Sequence, residues 1–217
     1  MAIPSLDYIH RFLPAAAGGS RPTLLLLHST GGDENQLLDL GARLAPGAAL
    51  LSPRGKILEN GNSRFFRRLA EGVFDLDDLK RRTYELADFV QAASQTYGFD
   101  PQAVTAVGYS NGANIAASML LLRPQSLAGA VLFHAMVPLQ PEFTPSLHGR
   151  EIFISAGQFD PMVPAEDTQR LADMLQGAGA TVTLQWRPGG HMLTPDEVTA
   201  AAEWLPRTAL LRPGPES

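Results

Sequence analysis

Short apolar runs alternate with helical patterns along this chain, and that alternation constrains its fold more than any other feature. Leu24–His28, Ala48–Ser52, Ala103–Tyr109, Gly129–Ala135, Glu151–Ala156 and Thr181–Trp186 are largely apolar runs of strand length. Continuous runs, as opposed to alternating ones, suit strands buried on both faces of a parallel sheet. The intervals carry helix signals. Asp33–Leu44 opens on an acidic first turn and aligns Leu37, Leu40 and Leu44. Asp75–Tyr97 is the longest helical stretch, with Leu76, Leu79, Tyr84, Leu86, Phe89 and Val90 as core contacts and Gly98 as its stop. Asn111–Leu122 ends before Pro124, Pro164–Gln176 starts on proline and stops at Gly177, and Thr194–Trp204 opens with Thr-Pro-Asp-Glu.

Strand–helix–strand alternation predicts an α/β fold with a mostly parallel central sheet flanked by helices. Tyr8–Leu13 adds an antiparallel edge strand. Pro53–Val73 reads as a long irregular connection, a kind of segment that is often functional. The tail from Arg212 to Ser217 reads as frayed. No internal repeat or linker divides the 217 residues, so one domain over 1–217 is expected.

Composition narrows the function. Lys and Arg total 17 against 22 Asp and Glu, a formal net charge of −5. With no long basic run, nucleic acid and anionic membrane are poor partners. There is no cysteine, which excludes disulfides, thiolate catalysis and thiolate metal sites. The N-terminal stretch has neither the apolar core nor the basic leader of a signal peptide, and Leu24–Leu27 is far too short to span a bilayer. These features predict a cytoplasmic protein without integral membrane association.

Gly108-Tyr109-Ser110-Asn111-Gly112 carries the sharpest chemical signal. It lies where the strand Ala103–Val107 turns into the helix starting near Asn111, the context a nucleophile elbow requires. The serine takes a strained turn, and a side chain at Gly108 or Gly112 would clash. The helix also points free N–H groups toward the serine. The same five residues also fit an ordinary glycine-rich turn.

A serine hydroxyl needs a base, and the base needs an orienting acid. The α/β-hydrolase order is serine, acid, histidine, with acid and histidine in loops at strand ends. Asp160, in Gly157-Gln158-Phe159-Asp160-Pro161, and His191, in Gly189-Gly190-His191, meet that condition. Among the other histidines, His28 braces the loop after its strand, His134 reads as a satisfied core residue, and His10 and His148 read as surface or loop residues. Glu166 and Asp167 fall inside a helix, and Asp196 and Glu197 read as first-turn helix charges. The oxyanion donors are Asn111 N–H, next to the nucleophile, and Thr30 N–H, in the glycine-rich loop after the first apolar run. No His-x-x-His or His-x-Asp-His spacing suggests a metal, and no Gly-x-x-x-x-Gly-Lys suggests a nucleotide. No cofactor is called for.

Taken together, these residues resemble the phospholipase/carboxylesterase family of α/β-hydrolases, which includes the acyl-protein thioesterases. Within it the chain is most similar to the bacterial hydroquinone-resistance carboxylesterases of the MhqD type. The matching pieces are Leu25–His28 with Gly31–Glu34, Leu51–Gly55, Glu59–Gly61, Arg64–Arg68, Glu71–Asp75, Gly108–Asn114, Asp160-Pro161 and Gly190-His191. The family usually carries glycine where Ser29 stands, and a positive φ there would strain a serine. The resemblance places Arg64, Phe65 and Phe66 near the acyl or aromatic pocket. Two phenylalanines offer an apolar wall, and the arginines can meet a carboxylate or phosphate; equally, one Phe can be core and the arginines solvated. Met136 and Pro138, then Phe159, Met162 and Val163 beside the acid, and Met192 and Leu193 beside the base are further pocket candidates.

The span from Gly129 to Glu151 is too short for a helical lid, so a single-domain α/β-hydrolase without a large cap is expected. The resulting expectation is a serine carboxylesterase acting on small to medium esters through an acyl-enzyme on Ser110. A thioesterase or lysophospholipase with the same triad and a non-catalytic binding module on the same scaffold are the alternatives. The partner is a small-molecule ester, and similar proteins include homodimers.

Overall fold

The computed structural model describes residues 6–16 and 22–205. The tail from Arg212 lies outside them. The element order is β1 (His10–Leu13), β2 (Thr23–Leu27), α1 (Leu38–Leu44), β3 (Ala49–Pro53), β4 (Ile57–Glu59), β5 (Asn62–Arg64), β6 (Arg68–Ala70), β7 (Val73–Phe74), α2 (Leu76–Tyr97), β8 (Val104–Tyr109), α3 (Asn111–Leu122), β9 (Gly129–Phe133), β10 (Glu151–Gly157), α4 (Ala165–Gly177), β11 (Thr181–Arg187) and α5 (Pro195–Trp204).

The central sheet runs β1-β3-β2-β8-β9-β10-β11. Every pair is parallel except β1 with β3, where His10 faces Pro53 and Leu13 faces Leu50. The apolar runs and the observed strands agree because both faces are covered. Leu24 and Leu26 of β2 join α1 and α5 in one core, while Leu25 and Leu27 join α2, α3 and α4 in the other. The edge strand β11 is only half-buried, since no strand among the described residues pairs beyond it.

Helix ends follow local chemistry. Asp75 caps α2 by accepting from Asp78 N–H, and Gly98 stops it in the left-handed region. Thr194 and Glu197 form a capping box at the start of α5. Helix α1 starts at Leu38, later than the expected Asp33, because Asp33 spends its carboxylate on Asn35 N–H in a turn.

The stretch from Pro53 to Val73 is more ordered than its sequence suggested. It folds into two small hairpins, β4–β5 and β6–β7. Asn60 and Gly61 both have positive φ, 51° and 82°. Asn-Gly is the preferred pair for a two-residue hairpin turn, so the signal was present in the sequence. Between β9 and β10 there is no helix, and so no cap. Among the described residues, no helix is long and apolar enough to cross a membrane.

Candidate active site

Parallel strands put all their C-terminal ends on one edge of the sheet, and five of them deliver polar residues there: β2 gives His28 and Thr30, β8 Ser110, β9 His134, β10 Asp160, and β11 His191. At the end of β8, Ser110 takes φ 54° and ψ −113° before α3 starts. Non-glycine residues rarely hold that conformation, and close packing enforces it here. A Cβ on Gly112 would lie 1.9 Å from the Leu27 carbonyl oxygen, and one on Gly108 would lie 2.6 Å from Gly112 backbone atoms. The elbow is therefore pressed against the end of β2.

His191 Nε2 lies 2.8 Å from Ser110 Oγ, and His191 Nδ1 lies 2.7 Å from Asp160 Oδ2. A carboxylate only accepts, so Nδ1 carries the proton and Nε2 faces the hydroxyl with its lone pair. Burial alone would raise the Asp160 carboxyl. Hydrogen bonds from His191 and from the Met162 and Val163 N–H groups outweigh it and hold the group below the usual carboxylate range. Tyr109 supports His191 by donating its hydroxyl to the His191 carbonyl at 2.9 Å. The two loops touch because Gly157 has no side chain: a Cβ there would lie 2.3 Å from the Gly190 carbonyl oxygen.

The loop after β2 is held by His28. Its Nε2 accepts from Gly55 N–H at 2.9 Å, so the proton sits on Nδ1, which donates to the Ser29 carbonyl at 2.7 Å. Burial lowers the His28 pKa and keeps the ring neutral. Ser29 is not strained. The positive φ in this loop belongs to Gly31, and Ser29 is tied to the Gln36 side chain through its N–H and hydroxyl.

A cleft of ≈ 50 Å³ opens over Ser110 and His191, with Thr30 and Asn111 in its lining. The sequence matches the phospholipase/carboxylesterase family over residues 69–209. The chain belongs to that family. It is 49% identical to MhqD of Bacillus subtilis over 86% of this chain and 94% of that one. The carboxylesterase of Bacillus cereus is 46% identical, with a TM-score of 0.90 over 93% of this chain and 94% of its own. The carboxylesterase of Mesorhizobium loti, at 29% identity, has a TM-score of 0.81 over 88% and 97%. This family member is thus an α/β-hydrolase among carboxylesterases in both sequence and fold.

Pocket candidates divide into three groups. Arg64, Met136, Met162 and Val163 line the cleft. Arg64 is buried, donates to Thr30 Oγ1 at 2.6 Å and pairs with Glu59 at 3.1 Å. Phe65 and Phe66 are fully buried and are not its walls. Phe65 N–H is anchored to Asn111 Oδ1, its ring lies against His28, and Phe66 packs edge-on to Phe74. Phe159 and Met192 stand out into solvent instead of lining the cleft. Sequence reasoning missed Asn114, Arg68, Glu71, Gly72 and Phe74 as lining residues. Asn114 was the most legible of these, being one helical turn after Ser110.

Three residues read singly gain partners that the sequence did not show. His10 is no loose surface group: it sits in β1 between the Tyr8 carbonyl and the Tyr97 hydroxyl. Glu197 is in the first turn of α5 but is buried. Burial alone would raise its carboxyl, yet the His134 ring beside it and bonds from Ser155 and Thr194 hold it at about 2. His134 is buried as a core residue would be, but its neighbours are Asp160 and Glu197. His134, Asp160 and His191 bring nitrogen and oxygen atoms within 4.8 Å of one another. Their close contacts are the acid–base hydrogen bonds just described, so the cluster is read as part of that network.

Proposed function

We propose that this protein is a serine carboxylesterase that hydrolyses small carboxylic esters through an acyl-enzyme on Ser110. The observation that carries the reading is the continuous line from Ser110 Oγ through His191 to Asp160, opening on a cleft. Ser110 Oγ attacks the ester carbonyl carbon while His191 Nε2 takes its proton. The imidazolium forms against Asp160. The tetrahedral intermediate collapses, the C–O bond to the alcohol breaks, and His191 returns the proton to the leaving oxygen. Water, deprotonated by His191, then releases the acid and restores Ser110.

Two N–H groups are suited to the oxyanion. Asn111 is the first residue of α3, so its N–H has no intrahelical acceptor. Thr30 N–H shares a peptide plane with the Ser29 carbonyl, and His28 holds that carbonyl, so the N–H points the other way. The small cleft and the lack of a cap favour short acyl groups.

Hydrolysis of p-nitrophenyl esters from acetyl to dodecanoyl, with Ser110→Ala as control, tests the reading. Turnover is expected to peak at short chains and to fall at least about 10⁴-fold in the variant. Fluorophosphonate should label Ser110 in the wild type. Full activity in Ser110→Ala would refute the mechanism. A peak at long chains, or a marked preference for thioesters, would move the assignment to a lysophospholipase or thioesterase. Absence of both turnover and labelling would favour the binding module.

A further inference from the structure

His134 follows β9 in the left-handed region, with φ 55°. Few non-glycine residues hold this conformation, and histidine is among those that do so most readily. Its N–H still extends the sheet, donating to Ser155 O at 2.8 Å. Its imidazole lies behind the Asp160–His191 pair and is 1% exposed. Nδ1 lies 3.2 Å from Asp160 Oδ2, and Nε2 lies 3.1 Å from Glu197 Oε1, at ion-pair range. Four ionisable groups face the ring. Asp160 comes from the loop after β10 and Glu197 from α5. His191, from the loop after β11, has its ring 5.2 Å away, and Tyr109, at the end of β8, has its ring 5.8 Å away.

Both carboxylates are surrounded by donors. Asp160 Oδ1 accepts from the Met162 and Val163 N–H groups, and Oδ2 from His191. Glu197 Oε1 accepts from Ser155 Oγ, and Oε2 from Thr194 N–H and Oγ1. Acids served only by donors are ionised. A neutral imidazole has one N–H and one lone pair. Between these two acids it would leave a lone pair beside a buried carboxylate oxygen. An imidazolium presents a proton to Asp160 Oδ2 and places its charge 3.1 Å from Glu197 Oε1, a contact outside hydrogen-bond geometry.

We propose that His134 is a positioning residue for the ester-hydrolysing site: a doubly protonated imidazole that ties Asp160 to Glu197 and shares Asp160 Oδ2 with His191. The proposal rests on Ser110, His191 and Asp160 being the reacting groups. The bridge holds the Asp160 rotamer from behind, through α5. Its charge also lies close to the ring of His191, 5.2 Å between centroids, so its loss is felt at that ring.

The test uses the full chain with ¹⁵N-labelled histidine and the variant His134→Asn. Asparagine tolerates the left-handed conformation and keeps one donor for Asp160, but has no charge. At pH 7 the His134 ring of the wild type should show both nitrogens protonated. The acid limb of the kcat/KM profile for p-nitrophenyl acetate should move to higher pH in His134→Asn, by about one unit. A merely structural residue would leave the limb in place while changing stability. A bare ring nitrogen at His134, or coincident profiles, overturns the proposal. If His134→Asn fails to fold, the resonances are assigned through Glu197→Gln and the wild-type spectrum decides. If Ser110→Ala stays active, the esterase reading fails, while the protonation of His134 is still read directly.

Discussion

His28 donates from Nδ1 to the carbonyl of Ser29 at 2.7 Å, and one rigid peptide plane carries that contact to Thr30 N–H. The ring is fixed from its other side by Gly55 N–H at 2.9 Å. The imidazole thus joins the ends of β2 and β3 and sets the direction of a backbone donor.

From this we predict that His28→Asn lowers kcat with KM changed little. Loss of one oxyanion donor costs about 10²–10³-fold in kcat, and partial misorientation should approach the lower figure. Steady-state kinetics on p-nitrophenyl acetate check this. A raised KM with unchanged kcat would mean that the loop binds substrate and does not orient a donor.

Gly112→Ala places a Cβ 1.9 Å from the Leu27 carbonyl oxygen and 2.7 Å from that of His28. Both obstacles are backbone, so no side chain can swing aside. We expect a loss of about 3 kcal/mol or more, at the upper end of overpacking costs, and displacement of Ser110. Urea unfolding measures the first and fluorophosphonate labelling rate the second. Wild-type stability in this variant would contradict the close contact of α3 with β2.

Glu197 supplies a pH-dependent part of the stability. An ordinary glutamate titrates near 4.5, and Glu197 is held at about 2 in the fold. As pH falls, the unfolded chain takes up this proton first. The contribution is therefore complete above pH 4.5 and is lost as pH falls toward 2. Its size is on the order of 3 kcal/mol. Glu197→Gln retains the capping pattern with Thr194 but lacks this acid-dependent part. Urea midpoints at pH 7 and pH 3 should differ more in the wild type than in Glu197→Gln. Equal differences would show that Glu197 does not titrate with folding.

Much of this site was legible because it follows local rules. The Ser110 turn is encoded by two glycines and its place between a strand and a helix. Asp160 and His191 were found because strand ends in a parallel sheet share one edge. The Asn60-Gly61 turn was equally local, and the hairpin was missed only because the segment around it was read as irregular. Phe65, Phe66 and Arg64 were different. Aromatic residues beside arginines suit either a pocket wall or a core. The bond from Phe65 N–H to Asn111 Oδ1, and the ring contacts with His28 and Phe74, put the aromatics inside and leave Arg64 in the cleft.

The sequence by itself determined the alternation of central-sheet strands and helices, the α/β architecture and the three residues now aligned as Ser110, His191 and Asp160, but not the two hairpins between β3 and α2. Apolar periodicity, glycine sterics and capping chemistry act within a few residues and can be read in a line. Only the tertiary structure decided that His134 faces Asp160 and Glu197, 26 and 63 positions further along the chain. No periodicity links the end of β9 to the first turn of α5. Their meeting depends on α5 packing across the sheet, which brings Glu197 to 3.1 Å from the ring that the loop after β10 meets with Asp160 at 3.2 Å.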